Sequence, residues 1–190
     1  MALPLLLLLL LCGGPSLISS TQEFNPRTVV RRDYDMAKLS GPWYSVSIAS
    51  DDMTRIDEDG DLRIYMRNIQ HLENGALQFQ FDFRVLGHCE LVNMVCEKTE
   101  RNGEFTVNYK GENKVLVSET DYNLYITFYL RNIQNGTLTQ VLALYGVLSP
   151  TFLRRFEKIC KRHGLGPQNI INLDNTNICR SSQPRPSQGE

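Results

Sequence analysis

From Leu77 to Phe83 the chain alternates without interruption: Leu77, Phe79, Phe81 and Phe83 take every second position, with Gln78, Gln80 and Asp82 between them. Successive side chains of an extended chain point to opposite faces, so this segment is a strand with one apolar and one wetted face. The same grammar recurs on both sides. Leu62, Ile64 and Met66 alternate with Arg63, Tyr65 and Arg67, and Glu73-Asn74-Gly75 closes that segment as a hairpin turn. Trp43 to Ala49 precedes it; Leu91 to Cys96, Phe105 to Tyr109, Val115 to Val117, Leu124 to Leu130 and Leu138 to Tyr145 follow. The last two flank Asn135-Gly136, the dipeptide favoured in tight primed turns.

Hairpin-length connections throughout describe an antiparallel meander, which closes on itself or stacks as two sheets. Short connections favour closure, because a sandwich needs longer crossovers. The expected fold is all-β: an eight-stranded antiparallel up-and-down barrel whose interior is just large enough for one small ligand. Its inner face takes Leu62, Ile64 and Met66 from one strand and Leu77, Phe79 and Phe81 from the next. Met94, Val107, Tyr109 and Val115 continue it, followed by Ile126, Phe128 and Leu130, then Val141 and Tyr145. These are the candidate ligand-binding residues, with the Tyr109 and Tyr145 hydroxyls placed to orient one polar atom of an apolar guest. The competing arrangement is a solid core in which the same aromatics fill the space.

Helical periodicity enters only near the end. Ser149 is the expected N-cap and Pro150 opens the helix; Phe152, Phe156, Ile159, Cys160 and His163 form the apolar stripe, and Gly164 supplies the stop. This helix belongs on the outside of the barrel. Ile170, Ile171 and Leu173 fit a short further strand.

The first residues read as a signal peptide. The run Leu5 to Leu11 is too short to span a bilayer, no charged side chain occurs before Glu23, and Gly14 and Ser16 suit cleavage after Ser16, although a cut as late as Ser20 fits too. The expected organisation is a leader over 1–16, one domain over 17–180 and a polar, Pro- and Ser-rich disordered tail over 181–190. No later segment is apolar enough for a membrane span. With 20 basic and 21 acidic residues, the charge balance gives no reason to expect nucleic acid. Three histidines without paired ligands, and no CxxC, argue against a metal site. Past the leader stand Cys89, Cys96, Cys160 and Cys179, and their spacing alone does not choose a pairing.

In order and spacing, three short motifs resemble the signatures of the lipocalin family. Gly41-Pro42-Trp43 is similar to the Gly-X-Trp of its first strand, Thr120-Asp121-Tyr122 to the motif between its sixth and seventh strands, and Arg155 in Leu153-Arg154-Arg155-Phe156 to the arginine of the third. The likeness runs from about Asp35 to Cys179. It is strongest to the rodent urinary, odorant-binding and epididymal branch, as in Leu72-Glu73-Asn74, Glu97-Lys98-Thr99-Glu100 and Leu144-Tyr145-Gly146. The resemblance implies a secreted carrier, not an enzyme, that binds a small hydrophobic molecule (an odorant, pheromone, retinoid or fatty-acid-like compound) without a cofactor, with a cell-surface receptor as a further partner. It also implies that Trp43 plugs the closed end, with Arg155 lying across the indole and bonded to nearby backbone. Within such a barrel, strand parity places Cys96 inward and Cys89 outward, and the family pattern implies a Cys89–Cys179 disulfide.

Two other functions compete. One is an extracellular protein-binding module using the barrel as scaffold and Asp51 to Gly60 or the tail as contact. The other is a thiol-dependent isomerase using Cys96. The lipocalin branch with such activity carries its thiol shortly after the first strand, where this chain has Asp57-Glu58-Asp59-Gly60, and no histidine or arginine lies near Cys96 in sequence to lower its pKa. The acidic loop is expected to be a solvated, mobile lid, and Arg27, Arg31 and Arg32 a wetted N-terminal arm. Asn135-Gly136-Thr137 is an N-glycosylation acceptor.

Overall fold

The alternating segments become long neighbouring strands. The computed structural model describes residues 24–85 and 88–173; the leader, Cys179 and the tail lie outside the described residues. The strands are β1 (Gly41–Pro42), β2 (Ser45–Ser50), β3 (Tyr65–His71), β4 (Leu77–Val85), β5 (His88–Lys98), β6 (Glu104–Asn108), β7 (Glu112–Thr120), β8 (Tyr125–Gln134), β9 (Thr137–Gly146) and β10 (Ile170–Asn172), with helix α1 (Pro150–Arg162) between the last two. They form one antiparallel sheet in the order β1-β3-β4-β5-β6-β7-β8-β9-β2-β10.

The sheet has ten strands where eight were expected, for two local reasons. The first strand is broken at Trp43-Tyr44 into β1 and β2, and Ile170–Asn172 adds to the far side of β2. The break is also what curls the sheet: β1 pairs with β3 at one end of the order, and β2 pairs with β9 at the other. Where backbone pairing to β3 stops, Ser45 takes over with its side chain, its hydroxyl accepting from the Met66 N–H at 2.9 Å and donating to the Ile64 carbonyl at 3.2 Å. Asn135 and Gly136 join β8 to β9 with φ of 50° and 77°, the left-handed pair that a primed two-residue turn requires.

Each face of the sheet has its own core. Inside, Met66, Phe79, Phe81, Phe105, Val115, Phe128 and Tyr145 belong to one cluster. Outside, α1 lays Phe152, Phe156, Ile159 and Cys160 on Val46, Ala49, Leu142 and Leu144. The Ser149 hydroxyl caps the helix by accepting from the Thr151 N–H, and Gly164 follows it at φ 78°.

The closed end departs from expectation in its bracing. Trp43 is buried and its indole N–H donates to the Leu39 carbonyl at 2.8 Å. Arg155 lies over the rings of Phe24 and Tyr125, at 5.5 and 5.8 Å from their centroids, not across the indole of Trp43. Its Nε donates at 3.0 Å to the Glu119 carboxylate rather than to backbone. The reason is positional: Arg155 sits on the outer helix, facing the cluster around Tyr125, whereas Trp43 belongs to the inner cluster. Thr120-Asp121-Tyr122 forms the turn into β8, with the Asp121 carboxylate accepting from the N–H groups of Asn123, Leu124 and Tyr125.

Of two regions read as wetted, the N-terminal arm keeps Arg27, Arg31 and Arg32 exposed but is tied down, and the outer face of β3 is covered. Arg31 pairs with Glu119 at 3.1 Å while Val30 bridges to Thr120, so the N-terminal arm is fastened to the closed end. On the outer face of β3, Tyr65 is buried in a cluster with Leu173, and Arg63 beside it donates to the Tyr65 hydroxyl. The returning C-terminal segment, which local alternation cannot reveal, supplies that cover.

Candidate functional site

The strands converge on an enclosed, almost wholly apolar cavity of about 50 Å³ in the barrel. Its wall takes Leu62, Ile64 and Met66 from β3 and the segment before it, Phe79 and Phe81 from β4, and Met94 from β5. Tyr109, Val115, Phe128, Leu130, Val141 and Tyr145 bring the expected residues at the cavity to twelve of fifteen. Three other candidates stand elsewhere. Leu77 and Ile126 are fully buried in the inner cluster without reaching the cavity, and Val107 faces a cleft on the barrel's flank. Ile48 and Ala143 line the cavity and were not foreseen. The pairing shift between Ser45 and Ser47 disguises the parity of β2, and alanine carries little weight in a search for large apolar residues.

The aromatics leave limited room. Phe79 meets Phe128 edge-on at 5.4 Å between ring centroids, and Phe81 meets Tyr109 at 5.7 Å. Of the two hydroxyls, Tyr109 donates to the Asp61 carbonyl at 3.2 Å and is therefore occupied. Among the described residues the Tyr145 hydroxyl has no partner, which leaves it available to a guest. Burial pushes its pKa up, with the nearby Cys96 sulfur adding to the effect, so at neutral pH it is a neutral donor and acceptor.

The acidic loop across the mouth is fastened, not free. Arg55 grips the Asp61 carboxylate through two contacts at 2.5 and 3.1 Å and reaches the fully buried Asn132 at 3.1 Å. Asn132 in turn donates to Asn113 and to the Lys110 carbonyl. On the other side Arg84 pairs with Glu58, and beneath the loop Ile56 and Leu62 are buried. Fixed charges and an apolar underside together make a closed cap.

The model of the Lipocalin / cytosolic fatty-acid binding protein family matches residues 40–177. The chain is a lipocalin. It is 56% identical over 176 residues to epididymal-specific lipocalin-9 of Mus musculus, covering 91% of this chain and 99% of that one. Among solved structures, the bovine lipocalin allergen Bos d 2 superposes with a TM-score of 0.72 over 80% of this chain and all of its own, at 24% identity. The possum milk whey lipocalin trichosurin, solved with bound 4-ethylphenol, gives 0.65 at 32% identity over 69% of this chain and 93% of its own.

Lipocalins are generally binding and carrier proteins, and no relative named here supports the isomerase alternative. The state of Cys96 agrees. Its side chain is fully buried in the inner cluster, and burial, reinforced by the Glu97 charge, pushes the thiol up to about 12. A thiol so protonated at neutral pH is no nucleophile. Cys160, also free and also raised to about 12, lies beneath the helix in the outer cluster, so the sheet separates the two. This lipocalin is expected to show no native reaction of either thiol with an aromatic disulfide reagent at pH 8, and reaction of both in denaturant; prompt native labelling of Cys96 would contradict its assigned state.

The same burial sets an alkaline limit. Cys96 and Cys160 rise from 9.0 to about 12, and Tyr34 and Tyr109 from 10.0 to about 12. The unfolded chain therefore loses these protons first. Their contribution is fully present below about pH 9 and falls by up to about 1.4 kcal/mol per group for each pH unit above it. Urea midpoints measured from pH 8 to 11 are expected to decline steadily, and a flat profile would show that these groups titrate alike in both states.

Proposed function

We propose that this lipocalin is a secreted carrier that reversibly binds one small, largely apolar molecule bearing a single hydrogen-bonding group, on the scale of an odorant or pheromone rather than a retinoid or long-chain fatty acid. The observation that carries this reading is the Tyr145 hydroxyl, unpartnered in an otherwise apolar enclosure of about 50 Å³. A guest of that chemistry gains its affinity from apolar surface removed from water, at about 25 cal/mol per Å², and its orientation from one hydrogen bond. Room for it comes from Met66 and Met94, whose unbranched thioethers readily change shape. The bound 4-ethylphenol of trichosurin has this chemistry and supplies the probe.

Calorimetric titration with 4-ethylphenol is expected to show saturable binding at one site. Tyr145→Phe is expected to weaken it by about 1 kcal/mol, or fivefold, while leaving ethylbenzene unaffected. Absence of saturable binding by folded wild-type protein would overturn the carrier reading.

The leader over 1–16 directs this lipocalin to the exterior, where a Cys89–Cys179 disulfide staples the C-terminal segment to the barrel. Support comes from Cys89 packing against the cluster that holds Tyr65 and Leu173, which places the chain close by shortly before Cys179. Asn135, exposed in the β8–β9 turn, carries an N-glycan in this reading. Peptide mapping without reductant, and the mass change on enzymatic deglycosylation, test the two modifications.

A further inference from the structure

The barrel wall is unevenly sewn. β4 and β5 pair continuously from Leu77↔Cys96 to Val85↔His88, leaving aside the turn between them, and β6 and β7 pair along the whole of β6. Between β5 and β6 only Glu97↔Thr106 and Lys98↔Phe105 are in register, both near the closed end. From Cys96 toward the mouth β5 has a ladder partner on one side only, and so do Val107 and Asn108 of β6.

Over this seam lies the edge of a surface cleft of about 620 Å³, which runs from Val95 and Glu97 of β5 across Thr106, Val107 and Asn108 of β6 to Lys114 of β7 and Arg131 of β8. Val107 lines the cleft and also packs against the inner cluster. Met94 and Tyr109, which flank the seam from β5 and from the end of β6, line the inner cavity. What separates outside from inside along the seam is therefore a layer of side chains without a backbone ladder across it.

The mouth is the contrasting case. Passage there requires Arg55 to leave both Asp61 and buried Asn132, Tyr109 to release the Asp61 carbonyl, and Ile56, fully buried, to enter water. Parting the seam on the mouth side of Glu97 and Thr106 breaks no ladder hydrogen bond between β5 and β6, and Met94 and Val107, which stand there, change rotamer far faster than a fastened loop opens.

We propose that small apolar ligands enter and leave the barrel through the seam between β5 and β6, while the Arg55–Asp61 cap keeps the mouth shut. This rests on the carrier reading above and adds the route to it. The apolar side chains of Val95 and Val107, set among the cleft's polar and charged residues, receive a molecule such as 4-ethylphenol at the lip, and Val107 and Met94 then yield to it.

The route is tested by exchange rates of 4-ethylphenol, measured by NMR line shape on the full mature chain. Val95 is 42% exposed on the outer lip, so Val95→Cys can be alkylated with a bulky maleimide while Cys96 and Cys160 stay buried. Alkylation is expected to slow association and dissociation about tenfold each while affinity stays within about threefold, because a blocked path changes the barrier and not the end states. Val107→Trp, which thickens the seam from within, is expected to slow both rates likewise, and Arg55→Ala, which loosens the cap, to leave them within about twofold. The proposal is overturned if Arg55→Ala accelerates exchange while the blocked seam leaves it unchanged. Loss of equilibrium binding in the unmodified wild type would instead sink the carrier reading.

Discussion

Phe81→Arg is expected to abolish 4-ethylphenol binding, with no saturation at concentrations about a hundredfold above the wild-type Kd. Phe81 is fully buried, lines the cavity and stacks edge-on against Tyr109. A guanidinium there occupies the space of the guest and has no carboxylate side chain among the cavity-lining residues. It either holds a shell of water inside the barrel or forces a path to the mouth, and both remove the apolar surface on which binding depends. The companion Phe81→Leu keeps the site apolar and is expected to retain binding within about tenfold, since it removes part of the contact area and adds no charge. Near-ultraviolet circular dichroism of Trp43 reports whether each variant is folded. Folded Phe81→Arg with wild-type affinity would place the ligand somewhere other than this cavity.

The second large effect concerns stability. Glu119 is 3% exposed at its side chain and accepts from Arg31, Arg155 and the Tyr125 hydroxyl, at 3.1, 3.0 and 3.0 Å. Glu119→Ala strands the hydroxyl of Tyr125, which is 1% exposed, and takes the counter-charge from Arg155. The expected loss is about 3 kcal/mol, at the lower end of the range for broken buried pairs because Arg155 keeps some contact with water. Its partner on the arm behaves differently: Arg31 is 59% exposed, and Arg31→Ala is expected to cost less than about 1 kcal/mol. Urea unfolding measures both, and limited proteolysis should show faster cutting at Arg27 and Arg31 in Glu119→Ala as the arm loosens. A Glu119→Ala protein within about 0.5 kcal/mol of wild type would show that the cluster contributes nothing net.

Much of the cavity wall was legible because it is written in parity. Phe79, Phe81 and Phe128 face inward since strand geometry fixes the direction of every second side chain, and hairpin-length turns keep neighbouring strands in order. Parity fails where pairing slips. Ile48 was missed beside the Ser45/Ser47 shift, and Leu77 and Ile126 were placed at the cavity because parity tells which face a residue takes but not how far along the barrel the empty space extends. The helix was readable from its stripe and its cap. The partner of Arg155 was not, because a guanidinium on a helix has many possible acceptors and only the docked helix chooses Glu119. The acidic loop reads as solvated in sequence, and Asp57, Glu58 and Asp59 are indeed exposed, yet the loop is anchored by Arg55 on Asp61 and Arg84 on Glu58, the first arginine supplied by the loop itself and the second by β4.

The sequence by itself determined the all-β class, the inward aromatic face, the turn at Asn135-Gly136 and the outer helix, since each follows from periods and dihedral preferences that act over a few residues. Tertiary structure alone decided how little space the aromatics leave, that Tyr145 rather than Tyr109 keeps a free hydroxyl, that the mouth is capped, and that the wall is open between β5 and β6. Those are properties of side chains far apart in the chain competing for the same volume and the same partners, and no local pattern records which of them wins.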